Sequence, residues 1–392
     1  MMLYGNKGDW GELYIFFKVL VDGKIYAADS DYNRIDSLFL TVISLMREEG
    51  EKEKEKGKKE KELKRLIYTT GEIVRIKLNG EEFMSVPRYE FEQHIKEIWS
   101  KIKINEKEKG SFTVIEVKEF LEKIGIGNLK SPAKKTSEFF GGTIDIVMEV
   151  ITHDNIKRVL GFSCKTDLKN GSTLFNASVD NTNFLYRLKG PVNDELMSEF
   201  NNIYSIRNGK NIIPTSKRMD FLKEHNIYLT FERPVSEIAE ENLIISGGKE
   251  MPAIVGGMLE YFYYNNSGSQ TSVAEAITNI AENDVANYSM KNLQNIYHIK
   301  VANLIYNMFT GLRFGSNWNG KAEVNGGYIV LKNDGDVVAY HSTIADEFKE
   351  FLVSKLRFES PSHSRHRDMV IEKIDGEYYL KLALQLRFML NH

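Results

Sequence analysis

The chain has little cysteine, little proline, little net charge and no long apolar run. Each scarcity removes a class of protein. A single cysteine, Cys164, excludes an intrachain disulfide and any zinc site built on several thiolates. Seven prolines in 392 residues argue against long disordered linkers. A formal net charge of -3 gives no overall positive field for a nucleic acid, so any basic contact surface must be local. No stretch of about 18 apolar residues is present, and no membrane span is expected. The N-terminal segment lacks the basic start and apolar run of a signal peptide. With the lone thiol, this points to a cytoplasmic protein.

What is present is an ordinary globular composition, 42% hydrophobic and 27% charged. The length suits two or three domains and a sizeable core. Leu13, Phe16, Phe17 and Leu20 recur at helical spacing behind Asp9, a cap residue, and predict a helix over 9–20. Residues 38–46 read as a strand. Residues 51–65 form a Glu/Lys run with eight basic and five acidic side chains. It reads as a solvated insertion, helical or disordered, with DNA contact as the lesser alternative. Strands near 66–70 and 73–78 precede helices at 88–102 and 113–124. Helical periodicity returns at 272–280 and 292–312. Residues 327–341 predict a hairpin around Asn333-Asp334-Gly335-Asp336, and Asp375-Gly376 marks a second.

Chemistry concentrates in one strand pair. Thr143, Asp145, Val147 and Glu149 alternate with apolar residues along the first strand. After a turn at Asp154-Asn155, the second strand runs through Phe162, Ser163, Cys164 and Lys165. The pair places an aspartate at the centre of one apolar strand and a lysine at the end of the next. Burying either charge alone costs several kcal/mol, so something must compensate. A hairpin brings the two faces together at one end. Phosphodiester cleavage needs an anionic pocket for a divalent cation, an oriented water and stabilisation of charge at phosphorus. In such a site Asp145 would ligate Mg2+, with the Cys164 backbone carbonyl as a further hard ligand. Lys165 would position the water and stabilise the developing charge. The plainer alternative is a lysine that snorkels to water and an Asp145 that merely pairs with it.

Distant segments add to this strand pair. Lys7-Gly8-Asp9-Trp10-Gly11-Glu12, Thr143-Ile144-Asp145, Phe162-Ser163-Cys164-Lys165 and Asn176-Ala177-Ser178 follow in order. So do Thr182-Asn183-Phe184, Gly326-Gly327-Tyr328, Ser362-His363-Ser364-Arg365-His366 and Leu384-Gln385-Leu386-Arg387-Phe388. In patches over nearly the whole chain, they resemble the HpaII-like type II restriction endonucleases. The resemblance implies an α/β fold with a PD-(D/E)XK nuclease core, a mixed central sheet flanked by helices, plus additional α+β recognition elements. It implies a core over 1–190 with a charged insertion at 48–66, and a DNA-recognition and β-rich region over 191–392. It implies a Mg2+-dependent endonuclease, with Mn2+ substituting, that cuts double-stranded DNA at a CCGG-like target. Its genetic partner would be a protective methyltransferase. Two cuts require a homodimer or sequential nicking by a monomer.

The chain departs from the superfamily pattern in three places, one of them the long Glu/Lys insertion at 51–65. Ile144 stands where a proline precedes the aspartate, and Ser163 replaces the usual second acid. A hydroxyl is a poor Mg2+ ligand, so another carboxylate is expected. Glu12 on the first helix is the first choice, with Glu138 and Asp167 in reserve. DNA contacts are expected from Lys7, Asn176, Ser178, Thr182 and Asn183, or these serve as an exposed lysine and turn residues. Ser364, Arg365 and His366 lie in a basic segment, and an arginine fork fits guanine. His363 and His366 lack a third ligand for a metal. Two rivals stand beside this reading: a repair or structure-selective nuclease on the same core, and a non-catalytic DNA-binding protein.

Overall fold

The computed structural model describes residues 3–29, 32–49, 64–105, 110–129, 144–152, 155–166, 173–178, 181–207, 210–268, 270–322, 324–341, 345–362 and 369–389. From the N-terminus its elements are β1 (Gly5–Asn6), α1 (Lys7–Asp22), β2 (Lys24–Ala28), β3 (Arg34–Glu49), β4 (Lys64–Thr69), β5 (Ile73–Leu78) and β6 (Glu81–Pro87). Then come α2 (Arg88–Ile104), β7 (Ser111–Phe112), a 3-10 turn at Ile115–Val117, α3 (Lys118–Lys123), β8 (Ile146–Ile151) and β9 (Lys157–Thr166). The middle of the chain holds β10 (Thr173–Phe175), β11 (Asn183–Lys189), α4 (Asp194–Asn201), β12 (Ser205–Arg207), β13 (Lys210–Ile212), α5 (Thr215–Glu224) and β14 (Tyr228–Pro234). It continues with α6 (Glu237–Gly247), α7 (Met251–Glu260), a π-helical turn at Tyr261–Asn265, α8 (Val273–Glu282) and α9 (Leu293–Thr310). Last are β15 (Gly327–Leu331), β16 (Val337–His341), α10 (Ala345–Lys355), β17 (Leu356–Phe358), β18 (Ile371–Ile374), β19 (Glu377–Ala383) and β20 (Leu386–Phe388). The Glu/Lys run lies outside the described residues except for Lys64 and Arg65, which begin β4.

The chain divides into two compact units. The first holds Met1–Ser172 and Ala322–Phe348, the second Thr173–Lys321 and Lys349–His392. The first unit is a mixed α/β structure on a nine-stranded sheet ordered β2-β16-β15-β9-β8-β3-β4-β5-β6. β3 also pairs with β2, so six of these strands close into a ring. The length of β3 makes this closure possible. Its first part pairs with β2, and its second part pairs with β4 and β8.

α1 runs against β2, β3, β9, β15 and β16 and is backed by α2. The amphipathic face expected at Leu13, Phe16, Phe17 and Leu20 is buried, and so are Trp10, Tyr14, Ile15 and Val19. A helix that is apolar nearly all round belongs inside a fold. Its cap is Asn6, one turn earlier than expected. The Asn6 side chain accepts from the Asp9 amide at 3.1 Å, and the Asp9 carboxylate accepts from the Asn6 amide at 2.9 Å. Asp9 is thus the reciprocal partner in a capping box.

The expected 327–341 hairpin forms as β15–β16 and enters this sheet. β15 runs parallel to β9, and β16 runs parallel to β2. Parallel neighbours need a long crossover. Here it includes the whole 173–321 part of the second unit.

β16 ends on His341, which is 1% exposed. Burial pushes its imidazole down to about 4, so the folded chain holds it neutral. In the unfolded chain it titrates near 6.5. Its contribution to stability is therefore complete above pH 6.5 and is lost as pH falls toward 4. Urea unfolding across that window should show a loss of ~3 kcal/mol that a neutral His341→Gln variant lacks.

The second unit carries the four-stranded sheet β14-β11-β19-β18, the three-stranded sheet β10-β20-β17 and the hairpin β12–β13. The Asp375-Gly376 turn joins β18 to β19, with both residues at positive φ (50° and 86°). Such a turn matches the twist of its strands. In the aromatic run after α7, Phe262 and Tyr263 are core residues, and the Tyr263 hydroxyl donates to the Ala383 carbonyl at 2.9 Å.

Candidate active site

The β8–β9 hairpin forms as its alternation suggests. Asn155 takes a positive φ of 59° in the connection, and its amide donates to the Thr152 carbonyl at 2.9 Å. The ladder starts at Ile146 opposite Phe162. Asp145 therefore stands at the mouth of the strand pair, and the expectation of a mid-strand aspartate is corrected. Its amide still donates to the Phe162 carbonyl at 2.9 Å. Beyond that point the β8 backbone leaves the ladder, and a side chain takes its place. Asp145 Oδ2 accepts from the Cys164 amide at 2.8 Å and from the Ser163 hydroxyl at 3.1 Å.

These two donors explain Ser163. A carboxylate there would face Asp145 at about 3 Å, where two like charges resist joint ionisation. The hydroxyl is 6% exposed at the residue level and orients Asp145. Lys165, two residues on, is half-buried, and its register neighbour on β15 is Val330. Among the described residues no ion pair holds Lys165. The plain reading in which Asp145 merely pairs with it does not apply. By strand alternation Asp145, Ser163 and Lys165 share one face, while Phe162 and Cys164 enter the core on the other.

α1 reaches the end of β9 through Gly11. A methyl group at Gly11 would collide with the Thr166 side chain and lie 3.6 Å from Leu331. Glu12 is the next residue, half-buried on the same helix. Gly11→Ala should push α1 away from this strand end, at about 1–3 kcal/mol. We expect a lower melting temperature and slower cleavage together. An unchanged melt would remove the close approach as a constraint.

Sequence reasoning did not single out Gly11 as a packing residue. It also missed Asn325, whose side chain accepts from the Gly161 amide at 2.8 Å and ties the chain before β15 to β9. Its signal was its place directly ahead of the Gly326-Gly327 pair. Both glycines lie against backbone: a methyl group at Gly326 would stand 2.8 Å from the Gly161 carbonyl.

The other expected contact residues are dispersed. Lys7 is the first residue of α1 and half-buried. Asn176 is exposed in the second unit. Ser178 and Thr182 engage each other: the Ser178 amide donates to the Thr182 hydroxyl at 2.9 Å, which donates to the Ser178 carbonyl at 3.0 Å. Thr182 and Asn183 are 2% and 3% exposed. Turn chemistry accounts for these bonds. Glu138, Asp167, Ser364, Arg365 and His366 lie outside the described residues.

The oxygen donors at the β8–β9 mouth suit one metal chemistry better than another. Among the described residues no three His, Cys, Asp or Glu side chains gather to hold an ion. Mg2+ keeps most of its waters and takes only one or two carboxylates, and the donors here fit that demand. They do not fit a structural zinc site, which needs four protein ligands.

A carboxylate fixed by a strand amide shares a strand face with a lysine that no acid among the described residues neutralises. It sits in a chain that belongs to the HpaII restriction endonuclease family, whose profile matches residues 6–388. Members of that family are type II restriction enzymes, site-specific deoxyribonucleases. The Type II restriction enzyme HpaII of Haemophilus parainfluenzae is 27% identical over 389 residues, 98% of each chain. No solved structure matches the chain. Among the described residues no helix is long and apolar enough to cross a membrane.

Proposed function

We propose that this restriction endonuclease hydrolyses double-stranded DNA with Mg2+ at the mouth of the β8–β9 pair. We further propose that this region is a PD-(D/E)XK core. The observation that carries the reading is an amide-anchored Asp145 on the same face as Lys165, for which no ion pair occurs among the described residues. Asp145 and the Cys164 carbonyl would hold the ion, with Glu12 as the additional carboxylate. Glu138 and Asp167 are the reserves. When bound, Mg2+ supplies Lewis acidity at the phosphate and favours a hydroxide nucleophile. Ser163 keeps Asp145 aimed. Lys165 offers its ammonium to the scissile phosphate and orients the attacking water, which places positive charge where negative charge develops.

The second unit, with the 191–392 region, would supply most of the recognition surface. Lys7, Asn176, Ser178, Thr182, Asn183, Ser364, Arg365 and His366 remain the proposed DNA contacts. A CCGG-like target, a companion methyltransferase and a cytoplasmic setting accompany the reading, with Mn2+ as a substitute ion. Two cuts would come from a homodimer or from successive nicking.

The test is incubation of the purified chain with unmethylated plasmid and Mg2+ or Mn2+, with an EDTA control. Discrete fragments whose ends share one sequence support the proposal. A smear, or cutting of flaps alone, favours a repair nuclease. A gel shift without cutting in either ion selects a non-catalytic DNA-binding protein.

A further inference from the structure

The tripeptide Leu-Arg-Phe occurs twice in the second unit, as β17 (Leu356–Phe358) and as β20 (Leu386–Phe388). The two copies pair antiparallel with Arg357 directly opposite Arg387, and Thr173 of β10 stands on the other side of Arg387. Alternation buries Leu356, Phe358, Leu386 and Phe388 and leaves the arginines on the opposite face. Like charges in direct cross-strand register repel.

One carboxylate answers both guanidiniums. Glu359 Oε1 accepts from Arg387 Nη1 at 2.8 Å and lies 3.7 Å from Arg357 Nη2. Glu359 Oε2 accepts from Gln385 Nε2 at 2.6 Å. The Gln385 carbonyl in turn accepts from the Ala177 amide at 3.4 Å, so both ends of that amide are engaged. Arg357 Nη1 donates to its neighbour, the Phe358 carbonyl, at 3.4 Å. The cluster sets two arginines against Glu359, and Arg387 Nε is buried without an acceptor among the described residues, which leaves the Nη end for a ligand. The arginine side chains are 31% (Arg387) and 20% (Arg357) exposed, so a ligand can reach them.

A purely structural ion pair matches charge for charge, because desolvating a surplus charge is costly. This cluster instead fixes a surplus in direction. Guanine presents two acceptors, O6 and N7, to a planar guanidinium fork, and such reading depends on an orientation held by neighbouring groups. A phosphate also accepts an arginine fork, so loss of discrimination at one base pair is what separates the two contacts.

We propose that Arg387 reads a guanine of the target, with Glu359 and Gln385 as its positioning residues. This rests on the sequence-specific endonuclease reading above. The experiment uses the full chain. Ends of wild-type plasmid fragments define the site, and cleavage rates are then compared on duplexes carrying that site and on each single-base-pair replacement.

Arg387→Ala should lower cleavage of the site by about 10- to 100-fold and abolish discrimination at one G·C pair, leaving the other positions read as before. Arg387→Lys keeps the charge against Glu359, and thus the fold, yet should show the same loss at that pair. Glu359→Gln should relax the same pair alone. Unchanged discrimination in Arg387→Lys with an unchanged melting temperature overturns the proposal. A uniform loss on every duplex also overturns it and marks a phosphate contact. If the wild-type chain prefers no sequence, the endonuclease reading fails and this one with it. If the wild type discriminates and the Arg387 variants do too, only this one fails.

Discussion

Lys165→Ala should slow plasmid cleavage by on the order of 10³-fold and leave DNA binding measurable. Lys165 is half-buried, and no acid among the described residues neutralises it. Its charge is therefore available to a phosphate without first breaking an ion pair. Asp145→Asn should have an effect of similar order. The amide keeps the shape but loses the negative charge, and its NH2 group could face the Cys164 N–H donor that now lies 2.8 Å from the carboxylate. Single-turnover cleavage and a gel shift, run on the same preparations, separate chemistry from binding. Glu12→Gln belongs in the same series. A loss of about 10²-fold or more would place its carboxylate in the metal site. Wild-type rates in Glu12→Gln would pass that role to Glu138 or Asp167. Wild-type rates in Lys165→Ala would remove the lysine from the chemistry.

Arg218→Met should be the most destabilising of the substitutions considered, by about 3–5 kcal/mol. Arg218 is 0% exposed, and its guanidinium donates to three backbone carbonyls. Nη1 donates to the Met369 carbonyl. Nη2 donates to the Asn201 and Ile203 carbonyls at 3.0 and 3.1 Å, and Nε donates to the Ile203 carbonyl at 3.2 Å. The ring of Phe200 lies 5.1 Å from the guanidinium carbon. Methionine fills much of the volume but leaves three buried carbonyls without these donors. Asn201 joins the same clamp, since its side chain exchanges two bonds with the Ile371 backbone at 2.8 and 2.9 Å. Met369 lies two residues after Arg367 in the sequence. Urea denaturation read by tryptophan fluorescence checks the expectation. A loss below about 1 kcal/mol would mean that water replaces the arginine.

Several elements were readable because their signals are local. Alternating apolar residues and a positive-φ turn residue specify β8–β9, β15–β16 and β18–β19 from within a short stretch of chain. The Asp145–Lys165 spacing came with the first of these. Asn6 as the cap was harder to read, because Asn6 and Asp9 both suit a helix start and only their reciprocal bonds separate the roles. β6 (Glu81–Pro87) was also missed. Its polar composition gives no strong alternation, and pairing with β5 holds it.

By itself the sequence determined the hairpins, the apolar first helix and the spacing of Asp145 and Lys165 on neighbouring strands. Each follows from neighbours a few positions apart, through side-chain alternation, turn conformation and helical period. Only the tertiary structure decided that β15 lies parallel beside β9, although Thr166 and Gly327 are separated by the 173–321 part of the second unit. It decided that β3 is shared between β2, β4 and β8, that Ser163 serves Asp145, and that Arg357 meets Arg387 over one glutamate. Parallel pairing and cross-strand register leave no local mark. They are chosen by which apolar faces bury together and which polar groups find partners when distant segments meet.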